Sequence, residues 1–305
     1  MAFDLNSMLD TNYMDQLRER LIPRLVSEGI TMNVIDIIPN VKNKITLNLV
    51  KNNITVIDAA CGFTPAGDVQ LIQRPLEVLP KAVNDTLCPK DLEKTYMGTY
   101  MRNNMEIPMA DIIAETYVNR VNRWVEDFIW DGDGVYVGLV EQLFNDSAVI
   151  NASTEVAAAT SPIEKINALI AKGTPEIKTH ENKVIFCSFA FYDAYMNDLR
   201  SKNVYMYANS EFRNGGYVTT IPGTDIQLMS TVALDYLTNN TIATGEPLVF
   251  TYAENLVAGT DMMEDGEAYF DMWYSRDNDE IRVNIQFKIG ATFRFGEDVV
   301  IGYAL

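Results

Sequence analysis

Histidine and cysteine are scarce in this 305-residue chain, which has one His and three Cys. A Ser-His or Cys-His catalytic pair would have to use His180, and no Gly-x-Ser-x-Gly nucleophile motif accompanies it in the sequence. The cysteines Cys61, Cys88 and Cys187 are odd in number and lack metal-ligand spacing. The sequence therefore predicts free thiols in a reducing compartment rather than disulfides or a cysteine-based metal site.

Long apolar runs and a leader segment are also missing. No run of about 18 apolar residues could span a bilayer, and the N-terminus MAFDLNSMLDTNY lacks the basic and apolar regions of a signal peptide. Five Asn-x-Ser/Thr matches are therefore expected to be fortuitous, at Asn53, Asn84, Asn145, Asn151 and Asn239. With 48% apolar residues, the chain can bury a core and hold about two domains.

Positive charge is in short supply, because 24 Lys and Arg face 42 Asp and Glu, giving a net charge of −18. This balance argues against tight binding to a phosphate backbone, which depends on basic side chains that neutralise phosphates. It argues equally against an anionic membrane surface. A container for DNA would favour such a charge on its inner wall, since repelled DNA stays mobile.

The clearest pattern in the chain is the stretch 280–295, EIRVNIQFKIGATFRF. Every odd position is apolar, and every even position is polar or glycine, which predicts one extended strand with one apolar face. At about 3.3 Å per residue the strand would run roughly 50 Å, whereas ordinary strands hold about 5–6 residues. Two interpretations follow. The stretch is either a long half-buried strand of any antiparallel sheet, or part of a flat, elongated subunit that packs side by side with other subunits into a continuous layer.

The first hundred residues predict an arm and a long hairpin. Residues 1–40 read as an arm with a helix over 14–28, for which a neighbouring subunit is one candidate contact. Strands are predicted from Ile45, a loop tip at 61–68 and an extended return over 69–83. Pro75 and Pro80 restrict these strands to sheet edges. Such a hairpin cannot bury itself, so it either folds back on the body or reaches a neighbour.

Two further regions complete the predicted architecture. A helix is predicted over 108–130, with Pro108 at its first position, apolar residues at steps of three or four, and a length of about 34 Å that could cover the long strand. Residues 141–245 predict a separate compact α/β domain. Its elements are helices at 162–172 and 191–202 and strands at 183–189, 217–221 and 226–232, after which strands at 248–252 and 270–275 lead into the long strand.

Two loop motifs resemble ligand-binding loops but lack required residues. Segment 62–68 has the two glycines of a phosphate loop without the Lys that follows them, which predicts a turn. Asp131-Gly132-Asp133-Gly134 begins like a calcium loop, but Val135 occupies the fifth position and Tyr136 replaces the Gly required at the sixth. A helix stop followed by a tight turn is the favoured interpretation.

Two side-chain clusters near the long strand could also carry chemistry. Asp277, Asp279 and Glu280 lie at a predicted hairpin turn, where carboxylates are usually solvated rather than engaged in acid–base catalysis. The aromatic run Tyr269, Phe270, Trp273 and Tyr274 favours core and interface over ligand stacking. No catalytic, cofactor-binding or metal-binding residue is predicted. An acidic metal-dependent enzyme or calcium-binding module stays open as a different class, using Asp131, Asp133, Asp277 or Asp279.

Three C-terminal stretches resemble tailed-phage major capsid proteins, most closely those of phages infecting Bacteroidetes: NLVAGTD at 255–261, FDMWYSRDN at 270–278 and RVNIQFKIGA at 282–291. The IPGTD turn at 221–225 is similar too. The resemblance implies an α+β Hong Kong 97-type capsid fold. Its implied parts are an N-terminal arm (1–44), an extended β-hairpin loop (45–95), a peripheral domain with a spine helix (96–140), an inserted α/β axial domain (141–250) and peripheral long strands (251–305).

The same resemblance implies a structural virion protein and not an enzyme. The expected function is a major capsid protein that self-assembles into an icosahedral head around phage double-stranded DNA, in the virion after assembly in the host cytoplasm. Expected partners are copies of itself in hexamers and pentamers, a separate scaffolding protein, a portal and head accessory proteins, with no cofactor, membrane or sequence-specific DNA contact. Some relatives join subunits by a Lys–Asn cross-link, but its positions find no match in this sequence, so the resemblance does not carry that chemistry over. A nanocompartment shell of the same fold, enclosing an enzyme, is the alternative.

Overall fold

The structure is a computed structural model that describes residues 29–53, 55, 58, 67–88, 109–204, 210–213, 215–237, 245–261 and 269–304. Within these ranges the strands are β1 (Asp36–Ile38), β2 (Lys44–Asn53), β3 (Asp68–Glu77), β4 (Leu79–Leu87), β5 (Ile150–Asn151), β6 (Lys183–Cys187), β7 (Ser210–Arg213), β8 (Gly216–Thr220), β9 (Gln227–Ser230), β10 (Glu246–Tyr252), β11 (Leu256–Thr260), β12 (Tyr269–Ser275), β13 (Glu280–Phe293) and β14 (Val300–Ala304). The α-helices are α1 (Met109–Trp130), α2 (Leu139–Asn145), α3 (Ser153–Ala158), α4 (Pro162–Lys172), α5 (Pro175–Thr179) and α6 (Phe189–Ser201). The predicted arm helix over 14–28 and most of the predicted loop tip lie outside the described residues.

Strand β13 is the centre of a five-stranded sheet and confirms the period-two prediction. It pairs antiparallel with β4 along one edge, and with β12 and then β11 along the other. The odd-numbered residues from Ile281 to Phe287 are buried, and the even-numbered residues between them are not. From Ile289 onward both faces are buried. The strand ends at Phe293, two residues earlier than predicted, and Arg294 leaves it to bind Asp36 and the Glu254 carbonyl.

Helix α1 covers the apolar face of this sheet, as its predicted length and stripe suggested. Val118, Val125 and Phe128 are buried in the main core together with Ile285 and Phe287 of β13. Because these residues recur at steps of three and seven, they share one face that meets the sheet, whereas Glu115, Arg120 and Arg123 are exposed.

A mixed seven-stranded sheet, in the order β5-β14-β10-β6-β9-β8-β7, forms the second body. Val184 and Val249 on one face join the core of α1, whereas Ile185 and Phe250 on the other face pack with α4 and α6. The predicted α/β domain is therefore not separate, because its sheet shares a core with the long helix. Strand β14 pairs with β10, so the C-terminal strand of segment 251–305 lies in this sheet and not with the long strands.

Two helices of this body, α4 and α6, begin after a serine that caps the helix N-terminus. Ser161 accepts the Glu164 amide at 3.3 Å, and Glu164 accepts the Ser161 amide in return, which completes a capping box before Pro162. Helix α6 begins at Phe189, two residues before the predicted start, because Ser188 caps it by accepting the Phe191 amide. The predicted apolar stripe of α6 is buried, at Tyr192, Tyr195, Met196 and Leu199.

The predicted hairpin is formed by β2 and β3, which pair over ten residues. Strand β4, also placed in the extended segment 45–95 by the resemblance, pairs with β13 instead of with the hairpin. Pro75 and Pro80 both lie in strands with a single pairing partner among the described residues, which agrees with the predicted restriction to sheet edges.

Candidate assembly surface

The β2–β3 hairpin has two different faces. Side chains alternate along each strand, so Leu49, Ile72, Arg74 and Leu76 share an inner face that is buried or half-buried. The outer face, hereafter the outer patch, carries Val50, Val69 and Leu71, with exposed fractions of 57%, 59% and 74%.

The outer patch is contiguous because register places its members side by side. Val50 lies directly opposite Leu71, and Val69 is two residues away on the same face of β3. The neighbouring cross-strand pair is polar, with Gln73 donating to Asn48 at 3.0 Å. Three large apolar side chains beside a polar border are typical of a surface that another protein covers.

The base of the hairpin is clamped where it crosses the five-stranded sheet. Leu76 and Val78 are fully buried in a small cluster with Val257. Two glycines permit the close approach: a Cβ atom on Gly290 would lie 1.9 Å from the Glu77 carbonyl oxygen, and one on Gly259 would lie 2.9 Å from the Leu76 side chain. At Gly290 the obstacle is backbone, so only a residue without a Cβ fits there, whereas at Gly259 the Leu76 and Val78 side chains would have to shift.

Two ion pairs connect the inner face to the body. Arg74 donates to Asp146 at 2.7 Å, and its guanidinium lies 3.9 Å from the centre of the Phe293 ring. Partial burial tends to raise the pKa of Asp146, but hydrogen bonds from the Ala148 amide and Arg74 outweigh it and hold the pKa below its ordinary value. Closer to the tip, Lys51 pairs with Glu297.

A buried carboxylate holds the N-terminal segment against helix α1. Glu126 accepts hydrogen bonds from the amide of Thr31 at 2.9 Å and its hydroxyl at 2.5 Å, while the Thr231 hydroxyl lies 3.4 Å away. The Trp130 indole donates to Thr31 Oγ1 at 2.8 Å. Burial raises the pKa of Glu126, although the hydrogen bonds from Thr31, Met32 and Thr231 oppose the shift.

A second exposed apolar surface, made of aromatic residues, lies at the β7 edge of the seven-stranded sheet. Phe212 is 62% exposed and makes an edge-to-face contact with Tyr217 at 5.0 Å. Tyr217 in turn stacks on Tyr192 at 5.2 Å. This arrangement presents a pre-ordered aromatic surface of the kind that is enriched at protein interfaces.

His180 occupies a structural position. Its ring stacks on Tyr252 at 4.0 Å, and its Nδ1 lies 3.6 Å from Glu254. Its carbonyl accepts a hydrogen bond from Lys183, which also binds Asp225 at 2.6 Å. These contacts fasten the loop between α5 and β6, and they include no Ser or Cys nucleophile. Cys187 is buried and Cys88 exposed, both as free thiols, while Cys61 lies outside the described residues.

The segment 131–134 forms a turn and not a calcium loop. Gly132 and Gly134 have φ values of 81° and 82°, and Asp133 accepts the amides of Val135 and Tyr136 at 3.1 and 2.8 Å. The other Asp133 oxygen binds Lys81.

The other acidic turn also uses its side chains locally. Tyr274 donates to Asp279, and Glu280 binds Arg282 at 2.8 Å. In the described part of the chain, no three His, Cys, Asp or Glu side chains are grouped as metal ligands. Trp273 of the aromatic run is 38% exposed, and the side chains of Tyr269 and Phe270 lie outside the description. Among the described helices, none has both the length and the apolar content to cross a membrane.

The sequence predicted the hairpin, but not which residues form its exposed apolar face or the ion pairs of its inner face. The outer patch and the pairs of Lys51 and Arg74 depend on the register of β2 with β3, which a sequence without a visible turn signal does not fix. Glu126 was missed because a charged residue on a helix is ordinarily exposed. No local sequence signal marks Glu126, because its partners Thr31 and Thr231 lie 95 and 105 residues away in the chain.

Comparisons with known proteins are informative at the level of structure. No protein-family model and no curated protein matches the sequence. A chain of the satellite phage P4 procapsid, a structure that includes the size determination protein Sid, matches with a TM-score of 0.59 and 11% identity over 94% of this chain and 98% of that chain.

Other assembled particles give similar matches. The capsid of an empty GTA particle matches with a TM-score of 0.63 and 8% identity over 91% of this chain and 90% of that chain. A virus-like particle from Pyrococcus furiosus matches with a TM-score of 0.52 and 9% identity, over 94% and 97% respectively. Since these matches span nearly the full length of both chains, this chain has the α+β, Hong Kong 97-type fold of phage capsid proteins.

Proposed function

We propose that this chain is the major capsid protein of a tailed phage and forms an icosahedral shell from many copies of itself. The observation that carries the proposal is the match of more than 90% of the chain to the phage P4 procapsid and to the GTA particle capsid. A likeness confined to one sheet would support only a shared substructure. A likeness over every element supports a shared way of assembling.

The two exposed surfaces support self-association. The outer patch lies on a hairpin whose base is buried against the body, so its three exposed apolar side chains are held on an element that a neighbouring copy can reach. The aromatic surface at Phe212 and Tyr217 lies on the axial segment 141–250, which we propose meets its symmetry mates in hexamers and pentamers. We retain the arm as 1–44, the extended loop as 45–95 and the peripheral domain as 96–140 with 251–305, although β14 at the end of the last segment pairs with β10 of the seven-stranded sheet.

The net charge of −18 favours a shell that encloses double-stranded DNA without binding its sequence. In this proposal the phage infects a member of the Bacteroidetes, and the head is assembled in the host cytoplasm. Assembly uses a separate scaffolding protein, a portal and head accessory proteins. The protein has a structural role rather than a catalytic one.

A nanocompartment shell is the second candidate, and the match to the virus-like particle from Pyrococcus furiosus favours it. The acidic metal-binding alternative receives little support, because its carboxylates already have partners within the chain. Asp133 binds Lys81 and the Tyr136 amide, and Asp279 accepts a hydrogen bond from Tyr274.

The discriminating experiment is electron microscopy of particles purified from the native source, followed by analysis of their contents. Icosahedral particles in which this chain is the most abundant protein, holding nuclease-protected double-stranded DNA, are expected. Particles that hold a stoichiometric cargo protein and no DNA would support the nanocompartment. Recovery of the chain only as free protein from particle-rich material would contradict both.

A further inference from the structure

The β2–β3 hairpin is fastened to its own subunit at three points of different strength. At its base, Leu76 and Val78 are fully buried beside Val257. In its middle, Arg74 lies against Phe293 and binds Asp146, with both side chains about one-fifth exposed. Near its tip, Lys51 binds Glu297.

The contact near the tip is the weakest of the three. The Lys51 and Glu297 side chains are 42% and 57% exposed, so water screens their attraction, and such pairs shift an equilibrium by at most about five-fold. Arg74, by contrast, is held by a charge-assisted hydrogen bond and by an aromatic ring in a drier setting.

The body side of the tip contact is rigid. Glu297 lies in a single 3₁₀ turn, Gly296–Asp298, between β13 and β14. The side chain of Asn255 holds this turn by donating to the carbonyls of Phe295 and Asp298 at 3.0 and 3.2 Å. When the ion pair breaks, the distal ends of β2 and β3, next to Lys51, are therefore expected to move rather than the turn that holds Glu297.

We propose that the Lys51–Glu297 pair is an electrostatic latch that holds the distal part of the hairpin on its own subunit. With the latch closed, the inner face around Leu49 and Ile72 is covered by the body, and the outer patch alone is available. With the latch open, the distal ends of β2 and β3 separate from the body while Arg74 and the base stay in place, which frees the inner face around Leu49 and Ile72 for a second copy of the chain. This step rests on the proposed function, since it assigns a control to the same hairpin that the shell would use.

The latch responds to ionic strength because its charges are exposed. Screening shortens from about 10 Å at 0.1 M salt to about 3 Å at 1 M, so added salt weakens the Lys51 contact more than the partly buried Arg74 contact. The pair then sets how often unassembled subunits present an open hairpin.

Distance measurements between two spin labels test the latch in the unassembled, full-length chain. Labels are placed at Val69→Cys on the hairpin and Ala171→Cys on helix α4, both exposed positions. Cys61 and Cys88 are replaced by Ser, while the buried Cys187 is kept. A narrow distance distribution is expected at low salt, with a second, longer population that grows in high salt and in Lys51→Ala.

Lys44→Ala is the matched control, because Lys44 forms an exposed pair with Glu77 at 4.0 Å inside the hairpin and does not reach the body. It should leave the distances unchanged. Lys51→Glu should enlarge the longer population, and Lys51→Glu combined with Glu297→Lys should restore the narrow one. The proposal is overturned if Lys51→Ala matches the wild type or if the double reversal does not restore it. Shell formation is scored separately by microscopy, so loss of the latch and loss of the shell function are distinguishable.

Discussion

Replacing Glu126 by glutamine tests the interpretation of the buried carboxylate that joins the N-terminal segment to helix α1. Burial raises the pKa of this group above its ordinary value of 4.5, so the folded chain binds the proton more tightly than the unfolded chain does. The contribution of Glu126 to the free energy of unfolding is therefore greatest below about pH 4.5. It falls as the pH rises toward the folded pKa and is constant beyond it.

The magnitude follows from linkage, at about 1.4 kcal/mol for each pH unit by which the folded pKa exceeds the unfolded one. The introduced glutamine does not titrate, and it can still satisfy its neighbours. Its oxygen can accept the Thr31 amide while its NH2 donates to the hydroxyls of Thr31 and Thr231. Glu126→Gln is thus expected to equal or exceed the wild type above the folded pKa. Glu126→Ala should be less stable throughout, by about 1–3 kcal/mol for each buried donor left without an acceptor.

Urea denaturation followed by circular dichroism, at intervals from about pH 4 to pH 8, supplies the measurement. The difference in unfolding free energy between wild type and Glu126→Gln should change as the pH rises above about 4.5, because only the wild type titrates at this position. Glu126→Ala cannot titrate at this position either, so its difference from the wild type should change with pH in the same way as that of Glu126→Gln, at a lower stability. If the curves of wild type and Glu126→Gln run parallel, the carboxyl group titrates as it would in water and the reasoning is wrong.

Three further substitutions test the hairpin and a helix start. Gly290→Ala places a Cβ atom 1.9 Å from the Glu77 carbonyl oxygen, so thermal denaturation should show that the free energy of unfolding falls by about 1–3 kcal/mol or more. An unchanged melting temperature would contradict the close approach of the hairpin base to β13. Leu71→Asp should melt at the same temperature as the wild type, because this side chain is 74% exposed, yet it should give few or no particles by electron microscopy. Thr46→Asp adds the same charge to the same face of the hairpin and should give more particles than Leu71→Asp. A normal particle yield from Leu71→Asp would show that the outer patch is not part of the interface. Ser161→Ala removes the capping-box acceptor and should destabilise the chain by about 0.5–2 kcal/mol in denaturant titrations, with Ser161→Asp expected to keep most of the stability.

Local regularity explains what could be predicted from the sequence. Along most of strand β13 one face meets the core and the other does not, and the sequence shows this directly as an alternation of apolar and polar residues. Helix α1 was predictable from its apolar stripe, and helix α4 from Pro162 at its first turn and the Ser161 cap, because all of these are local signals.

Long-range pairing explains what could not be predicted. The short run Val300–Ala304 carries no sign of which sheet it joins, and only its pairing with β10 decides that. Gly290 looked like one more member of the polar face of the strand. Its role depends on the Glu77 carbonyl, which arrives from a hairpin far earlier in the chain. The pairs Lys51–Glu297 and Arg74–Asp146 join distant segments in the same way.

A reconstruction of native particles by cryo-electron microscopy tests the central claim most directly. The account predicts an icosahedral shell made of this chain, in which Val50, Val69 and Leu71 lose their exposure to a neighbouring copy. A shell built from another protein, or one in which this hairpin faces only solvent, would contradict it.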